Sequence, residues 1–206
     1  HQRINDAFQT VIEIGMQSEW YDDALFNYAN WLQSQGKLIQ REDGSYRIEP
    51  DYVAALKYYR LLLREFKPGQ TQYHDNAKRN IKDITSPTLD LSVSNVFLPE
   101  SEVQFHLQWR NLNRATFRLH RVSLGSALDF SDTERRQWID AVDLSKGTIV
   151  DEWTKDTTNH DEHVPHYETV RLEQPLPIGA YVLEASARGT QTQRELILIT
   201  DLAIIT

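Results

Sequence analysis

Along the first 85 residues the apolar positions recur in steps of three and four. Trp20, Ala24, Leu25, Tyr28, Ala29 and Leu32 fall on one helix face, and Gly36 closes that segment. Residues 37–49 are polar, with Asp43-Gly44 as a turn signal. Pro50, whose φ is preset, and Asp51, whose carboxylate can accept from free N–H groups, suit a helix start. The run from Tyr52 to Phe66 then places Ala55, Leu56, Tyr59, Leu62, Leu63 and Phe66 at helical spacing. Pro68-Gly69 ends it, and a last helix over about Tyr73 to Ile84 turns Ala77, Ile81 and Ile84 inward.

The two strongest segments repeat. Tyr21, Ala24, Leu25, Tyr28 and Leu32 match Tyr52, Ala55, Leu56, Tyr59 and Leu63, each 31 positions later. A small Ala lets a neighbouring helix approach, while Tyr and Leu fill the groove beyond it. The pattern resembles a tetratricopeptide repeat, whose usual period is slightly longer.

After Ser86-Pro87 the period becomes two. Leu89, Leu91 and Val93 alternate with polar residues, as do Val103, Phe105, Leu107 and Trp109, then Ala115, Phe117 and Leu119 beyond an Asn111-Leu112-Asn113 turn. Tyr181, Leu183, Ala185 and Ala187 alternate again, and Leu196 to Ile205 is a nearly continuous apolar pair of strands broken at Thr200-Asp201. Short strands with one buried and one wet face predict an antiparallel sandwich. Between Leu124 and Thr158 the alternation lapses. Ser131 or Asp132 can cap a helix carrying Trp138, Ile139 and Val142, which predicts a helical insertion at about 125–160 covering one end of the sandwich.

Composition narrows the function classes. Twenty-two basic against 30 acidic residues give a net charge of −8, interspersed rather than blocked. No Lys/Arg patch stands out for phosphate neutralisation, so no nucleic-acid partner is expected. No apolar run approaches the roughly 18 residues of a spanning helix, so no membrane insertion is expected of this segment. Cysteine is absent, which removes disulfides, thiolate metal sites and cysteine nucleophiles. The sequence starts at His1 and reads as a piece of something longer.

One stretch invites a metal. "NHDEHVPH" sets His160, His163 and His166 three residues apart beside Asp161 and Glu162. That step gathers ligands on a helix, but Pro165 and the polar lead-in oppose one. In a strand the same step alternates faces, so only a folded loop would bring the three imidazoles together on zinc or nickel. A solvated loop entering a strand at His166 to Leu172 is the favoured reading, and no metal or cofactor is expected. His106 and His120 lie on or near the polar phase of strands and read as surface or cross-strand packing. The pairs Asp22-Asp23 and Asp161-Glu162 read as solvated carboxylates. No phosphate loop, GxSxG elbow or HExxH occurs. Trp20 and Trp109 fall on core phases and Trp138 on the insertion helix, whereas Trp31 and Trp153 are less constrained.

A family likeness emerges from "ITSPTLDLSVSNVFLPESEVQFHLQWRNLNRATFRLHRV" (Ile84 to Val122). It resembles the N-terminal macroglobulin-like strands of bacterial α2-macroglobulin-like proteins: a turn of the P-x-S/E-E kind, an R-N turn, then a strand of the xFRLxRV kind. "PLPIGAYVLEASARGTQTQRELILITDLAII" (Pro175 to Ile205) is similar to the LPxGxYxLEA…LxxVTDL ending of those domains. "PDYVAALKYYRLLLREFKPGQTQYHDNAKRNIKDIT" resembles the tetratricopeptide-like lead-in of some members. The likeness implies an exported protein of the periplasm or cell envelope that traps proteases. The family's thioester needs a cysteine, so it does not reside here, and no functional residue carries over.

The expectation is therefore an α+β multidomain chain: tetratricopeptide-like helical hairpins over residues 1–85, then a macroglobulin- or fibronectin-like β-sandwich over 86–206. Its expected role is that of a non-catalytic fragment of an endopeptidase-inhibiting protein, whose partners are the rest of the same chain and proteases. The alternative is a peptide- or protein-binding module using the groove of the helical repeats, which exposed Tyr, Trp or Arg there would favour.

Overall fold

A computed structural model describes residues 1–94, 96–124, 132–157 and 160–201. The chain is α+β, with N-terminal helices followed by two sheets packed as a sandwich. A helical unit is built mainly from His1–Ser86, and a sheet unit from Pro87–His160 and Pro165–Thr206.

Four helices make the first unit: α1 (Gln2–Ile14), α2 (Tyr21–Gln35), α3 (Tyr52–Glu65) and α4 (His74–Thr85). They stack in chain order, α1 on α2, α2 on α3 and α3 on α4. The matched positions Leu25 and Leu56, Ala24 and Ala55, and Tyr28 and Tyr59 are all buried. The Asp51 carboxylate accepts from Ala54 N at 3.0 Å and caps α3. Inside the stack, Tyr59 donates to Gln33 Oε1 at 2.9 Å and to Asn30, while Asn80 Nδ2 donates back to Tyr59 at 2.9 Å. This polar knot ties α2, α3 and α4 together.

Two features differ from the spacing argument. Helix α1 lies upstream of the first segment that argument singled out. The polar stretch 37–49, for which only the Asp43-Gly44 turn was expected, is a hairpin, β1 (Lys37–Gln40) against β2 (Tyr46–Glu49), with Leu38 opposite Ile48. Its feet meet at one place: the Leu32 carbonyl accepts from Gly36 N at 3.1 Å and from Asp51 N at 2.8 Å.

In the second unit, the strands are β3 (Thr88–Val93), β4 (Val96–Phe97), β5 (Gln104–Arg110), β6 (Arg114–Val122), β7 (Thr148–Asp156), β8 (His166–Arg171), β9 (Gly179–Ala187) and β10 (Gln193–Ile199). One sheet runs β4-β10-β9-β6-β7 and the other β3-β5-β8. The inward phases of both meet in a core of Leu89, Phe105, Leu107, Phe117, Leu183 and Ile197 among others, as the alternation predicted. The pairing is not wholly antiparallel, because β4 joins β10 in parallel through Val96 and Phe97. The stretch 202–206, part of the expected last strand pair, lies outside the described residues.

The insertion is only partly helical. Helix α5 (Asp132–Ala141) is followed by a 3-10 turn at Leu144–Lys146 and then by β7, a nine-residue strand. Charged residues along β7 hide its alternation: Asp151, Trp153 and Lys155 share one phase, opposite Leu119, Phe117 and Ala115. The fully buried Ile139 of α5 packs with Val182 and Leu196 on the outer face of the five-stranded sheet, rather than on one end of the sandwich. The expected Ser131 or Asp132 cap falls on side chains outside those described.

Candidate functional site

The apolar surface that most invites a ligand is a groove of ≈470 Å³ between α1 and α2. Helix α1 supplies Ile4, Ala7, Phe8 and Val11 at three- and four-residue steps, and Trp20 and Ala24 line the other wall. Trp20 corrects the sequence reading. It is the residue before the first turn of α2, not part of it, so its ring leaves the core phase and is 62% exposed over the groove. Ile4 is 47% exposed on the opposite wall. Arg3 stands at one end of the groove, and Asp23 lines it beside Asn27.

The floor is rigid. Phe8 packs on Tyr28 with ring centroids 5.3 Å apart, and the Tyr28 hydroxyl donates to Asn5. Asp22 and Asp23 occupy the first turn of α2, where carboxylates complement the free N–H groups. Asp23 is also the acceptor of the Tyr73 hydroxyl, a bond that raises the Tyr73 phenol above its ordinary range. Burial pushes the phenols of Tyr59 and Tyr21 up to about 12, the latter helped by Glu65. These hydroxyls are structural donors.

The three histidines of "NHDEHVPH" have separate fates. The side chain of His160 lies outside those described. His163 sits at φ 57, a left-handed corner just before Pro165. His166 is the first residue of β8, opposite Trp109, and its ring stacks on the indole with centroids 5.5 Å apart. Among the described residues no group of three or more His, Cys, Asp and Glu is placed to hold a metal.

His106 lies on the outer face of the three-stranded sheet, 3.0 Å from Thr169 Oγ1. With Asp90, Ser92, Gln108 and Tyr167 it borders a shallow depression of ≈340 Å³. His120 keeps the outward phase of β6 but takes the cross-strand packing role: it lies between Ile149 and Val182, only 6% exposed, and among the described residues neither ring nitrogen has a hydrogen-bond partner. Farther along the same face, Glu152, Arg118, Glu184 and Arg194 stand side by side on four neighbouring strands, alternating in sign. Arg118 bonds Glu152 and Arg194 bonds Glu184, each at 2.9 Å. This row is a sheet stabiliser.

No family model matches the chain, and no curated protein matches it significantly. Solved structures do. The CARDB domain of a Pyrococcus furiosus protein, solved in complex with di-metal ions, aligns over 56% of this chain and 88% of its own at 9% identity and a TM-score of 0.30. The sulfur carrier protein SoxY from Chlorobium limicola aligns over 54% and 78% at 8% identity and a TM-score of 0.28. The RIG-5 IG1 homodimer aligns over 56% and 98% at 13% identity and a TM-score of 0.28. The likeness is a distant one to Ig-like and CARDB β-sandwich domains, and it concerns the fold alone.

Proposed function

We propose that the chain is a non-catalytic structural segment of a large exported bacterial protein of the α2-macroglobulin-like, protease-trapping kind. In this reading the helices are a tetratricopeptide-like lead-in and the sandwich is a macroglobulin-like domain. One observation carries it. The two stretches bearing the family likeness are far apart in sequence but supply neighbouring strands. β6 and β9 pair with Phe117 opposite Ala185 and Leu119 opposite Leu183. The motif residues thus form one core rather than two unrelated patches. The polar clusters on both units are bound up in packing, which suits a scaffold whose partners are the remainder of its own chain and the trapped protease.

The test uses the intact parent. After reaction with an endopeptidase, the complex should cleave a small chromogenic peptide but spare a large protein substrate. A parent that binds no protease rejects the trapping role. Fractionation should place it in the periplasm or cell envelope.

A second reading has its own observation. The exposed Trp20 above Ile4 and Val11 makes the helical groove a candidate seat for an apolar segment. Retention of a partner by the 206-residue chain, lost in Ile4→Glu, would support it. Equal retention by both proteins would dismiss it.

A further inference from the structure

We propose that the β1–β2 hairpin is a proteolytic modification site: a trypsin-like endopeptidase nicks the chain after Arg41 or Arg47, and the nicked chain stays in one piece. The sandwich takes no part, and the nick needs no trapping function.

Every residue from Lys37 to Ile48 is exposed, the longest such run among the described residues. Leu38, Tyr46 and Ile48 share one face of the hairpin and Ile39 lies on the other. All four are open to solvent, so neither face is covered. The sheet consists of these two strands alone among the described residues. A two-stranded hairpin without a packed face is marginally stable in water, so it opens at little cost while the helices stay folded. Arg47 bonds Glu49 in a surface ion pair, which adds little to hold it shut.

An endopeptidase takes its substrate as an extended strand, with several residues on both sides of the bond that breaks. The opened segment from Leu38 to Ile48 supplies them. Lys37 is placed differently, because the Gly36 N–H before it is held at the Leu32 carbonyl and Gln35 belongs to α2. Arg188 is exposed too, but it stands in a turn where Thr190 N donates to the Ala187 oxygen at 3.3 Å. Opening that turn would unzip β9 from β10. In the cut, water adds across one peptide bond. The C–N bond between Arg41 and Glu42, or between Arg47 and Ile48, breaks. The arginine gains a carboxylate and the residue after it an α-amine. A cation just before the bond is what the acidic pocket of a trypsin-like enzyme selects.

What holds the two pieces afterwards lies outside the hairpin. Leu25, Ala29 and Leu32 of α2 share a buried core with Ala55, Leu56 and Leu62 of α3. Tyr59 bonds Asn30 and Gln33 from one helix to the other. The Leu32 carbonyl also accepts from Asp51 N at 2.8 Å, a bond that does not run through residues 38–48.

Limited digestion of the native 206-residue chain with trypsin, read by intact mass over time, tests this. The first products should be 1–41 with 42–206, or 1–47 with 48–206. They should elute together on size exclusion with unchanged circular dichroism, and separate only in denaturant. The double variant Arg41→Gln, Arg47→Gln should slow the first cut about tenfold or more, since the remaining bonds open less readily. Tyr59→Phe, which weakens the core between α2 and α3, should leave the rate of the hairpin cut unchanged, because local opening governs it. A first cut outside residues 38–48 overturns the proposal, as does an equal rate in the double variant. So do pieces that part in native buffer, or a hairpin cut that quickens in Tyr59→Phe, the mark of cleavage through global unfolding.

Discussion

Arg136 of α5 and Glu195 of β10 are joined at 2.8 Å, and the same guanidinium donates to the Arg194 carbonyl at 3.0 Å. Arg136 thus fastens a helix lying on the outer face of the five-stranded sheet to both a side chain and the backbone of β10. Glu195 is only 8% exposed, and its bond holds the Arg136 guanidinium above its ordinary range.

Arg136→Ala should therefore lower the stability of the sheet unit by about 1.5–3 kcal/mol, the worth of a hydrogen bond to a charged group. Urea unfolding followed by tryptophan fluorescence measures it. Adding Glu195→Gln to Arg136→Ala should cost little more, because the carboxylate is already unpaired. Fully additive losses would mean that the pair is not coupled.

Tyr59→Phe removes the shared centre of the knot formed with Asn30, Gln33 and Asn80. The loss should be about 1–2 kcal/mol, since half-buried amides lose a partner while the ring still fits. Asn80→Ala in the Tyr59→Phe background should add less than it does alone.

The raised phenols also set an alkaline limit. A phenol in the unfolded chain ionises near 10, whereas Tyr59 and Tyr21 in the folded chain ionise at about 12. Stability from keeping these hydroxyls protonated is complete below pH 10 and is lost as pH rises from there through 12. Melting temperatures at pH 8, 10 and 11 should fall only across the last interval, and the fall should shrink in Tyr59→Phe. Absorbance at phenolate wavelengths should show a late-titrating fraction. A single transition near pH 10 with no change in melting would contradict it.

Gly36→Ala should be more damaging than any surface change. A Cβ there would lie 2.4 Å from Asp51 N and 2.5 Å from the Leu32 oxygen, both backbone atoms with little freedom to give way. A loss of about 1–3 kcal/mol or more is expected, as for an overpacked core. Thermal melting followed by circular dichroism reads it.

Metal removal should leave the chain unchanged. Protein purified without a histidine tag should contain no stoichiometric zinc or nickel and should melt at the same temperature with and without chelator. One equivalent of bound metal that is lost in His163→Ala would overturn this.

The sheets were legible because strands such as Val103 to Trp109 have one dry and one wet face, and a period of two survives in the sequence. The β7 strand was not, because it is an outermost strand whose inward phase mixes Trp153 with Asp151 and Lys155. A bulge at Val150, between the Leu119–Asp151 and His120–Ile149 pairs, shifts the phase again. Helix α1 carries Ile4, Phe8, Val11 and Ile12 at helical steps, but it has no side-chain cap to mark its start. Trp20 was misread because periodicity cannot tell the first helical residue from the one before it. The groove was legible only as a class of surface, since its walls depend on α1.

The closure of Leu32 with Gly36 and Asp51 has a practical consequence. The hairpin between them leaves and rejoins the helices at a single knot, so its span is free to vary without moving α2 against α3. Residues 38–48 are thus a natural cassette: a shorter link or a grafted epitope between Lys37 and Glu49 should be carried with the four-helix packing intact.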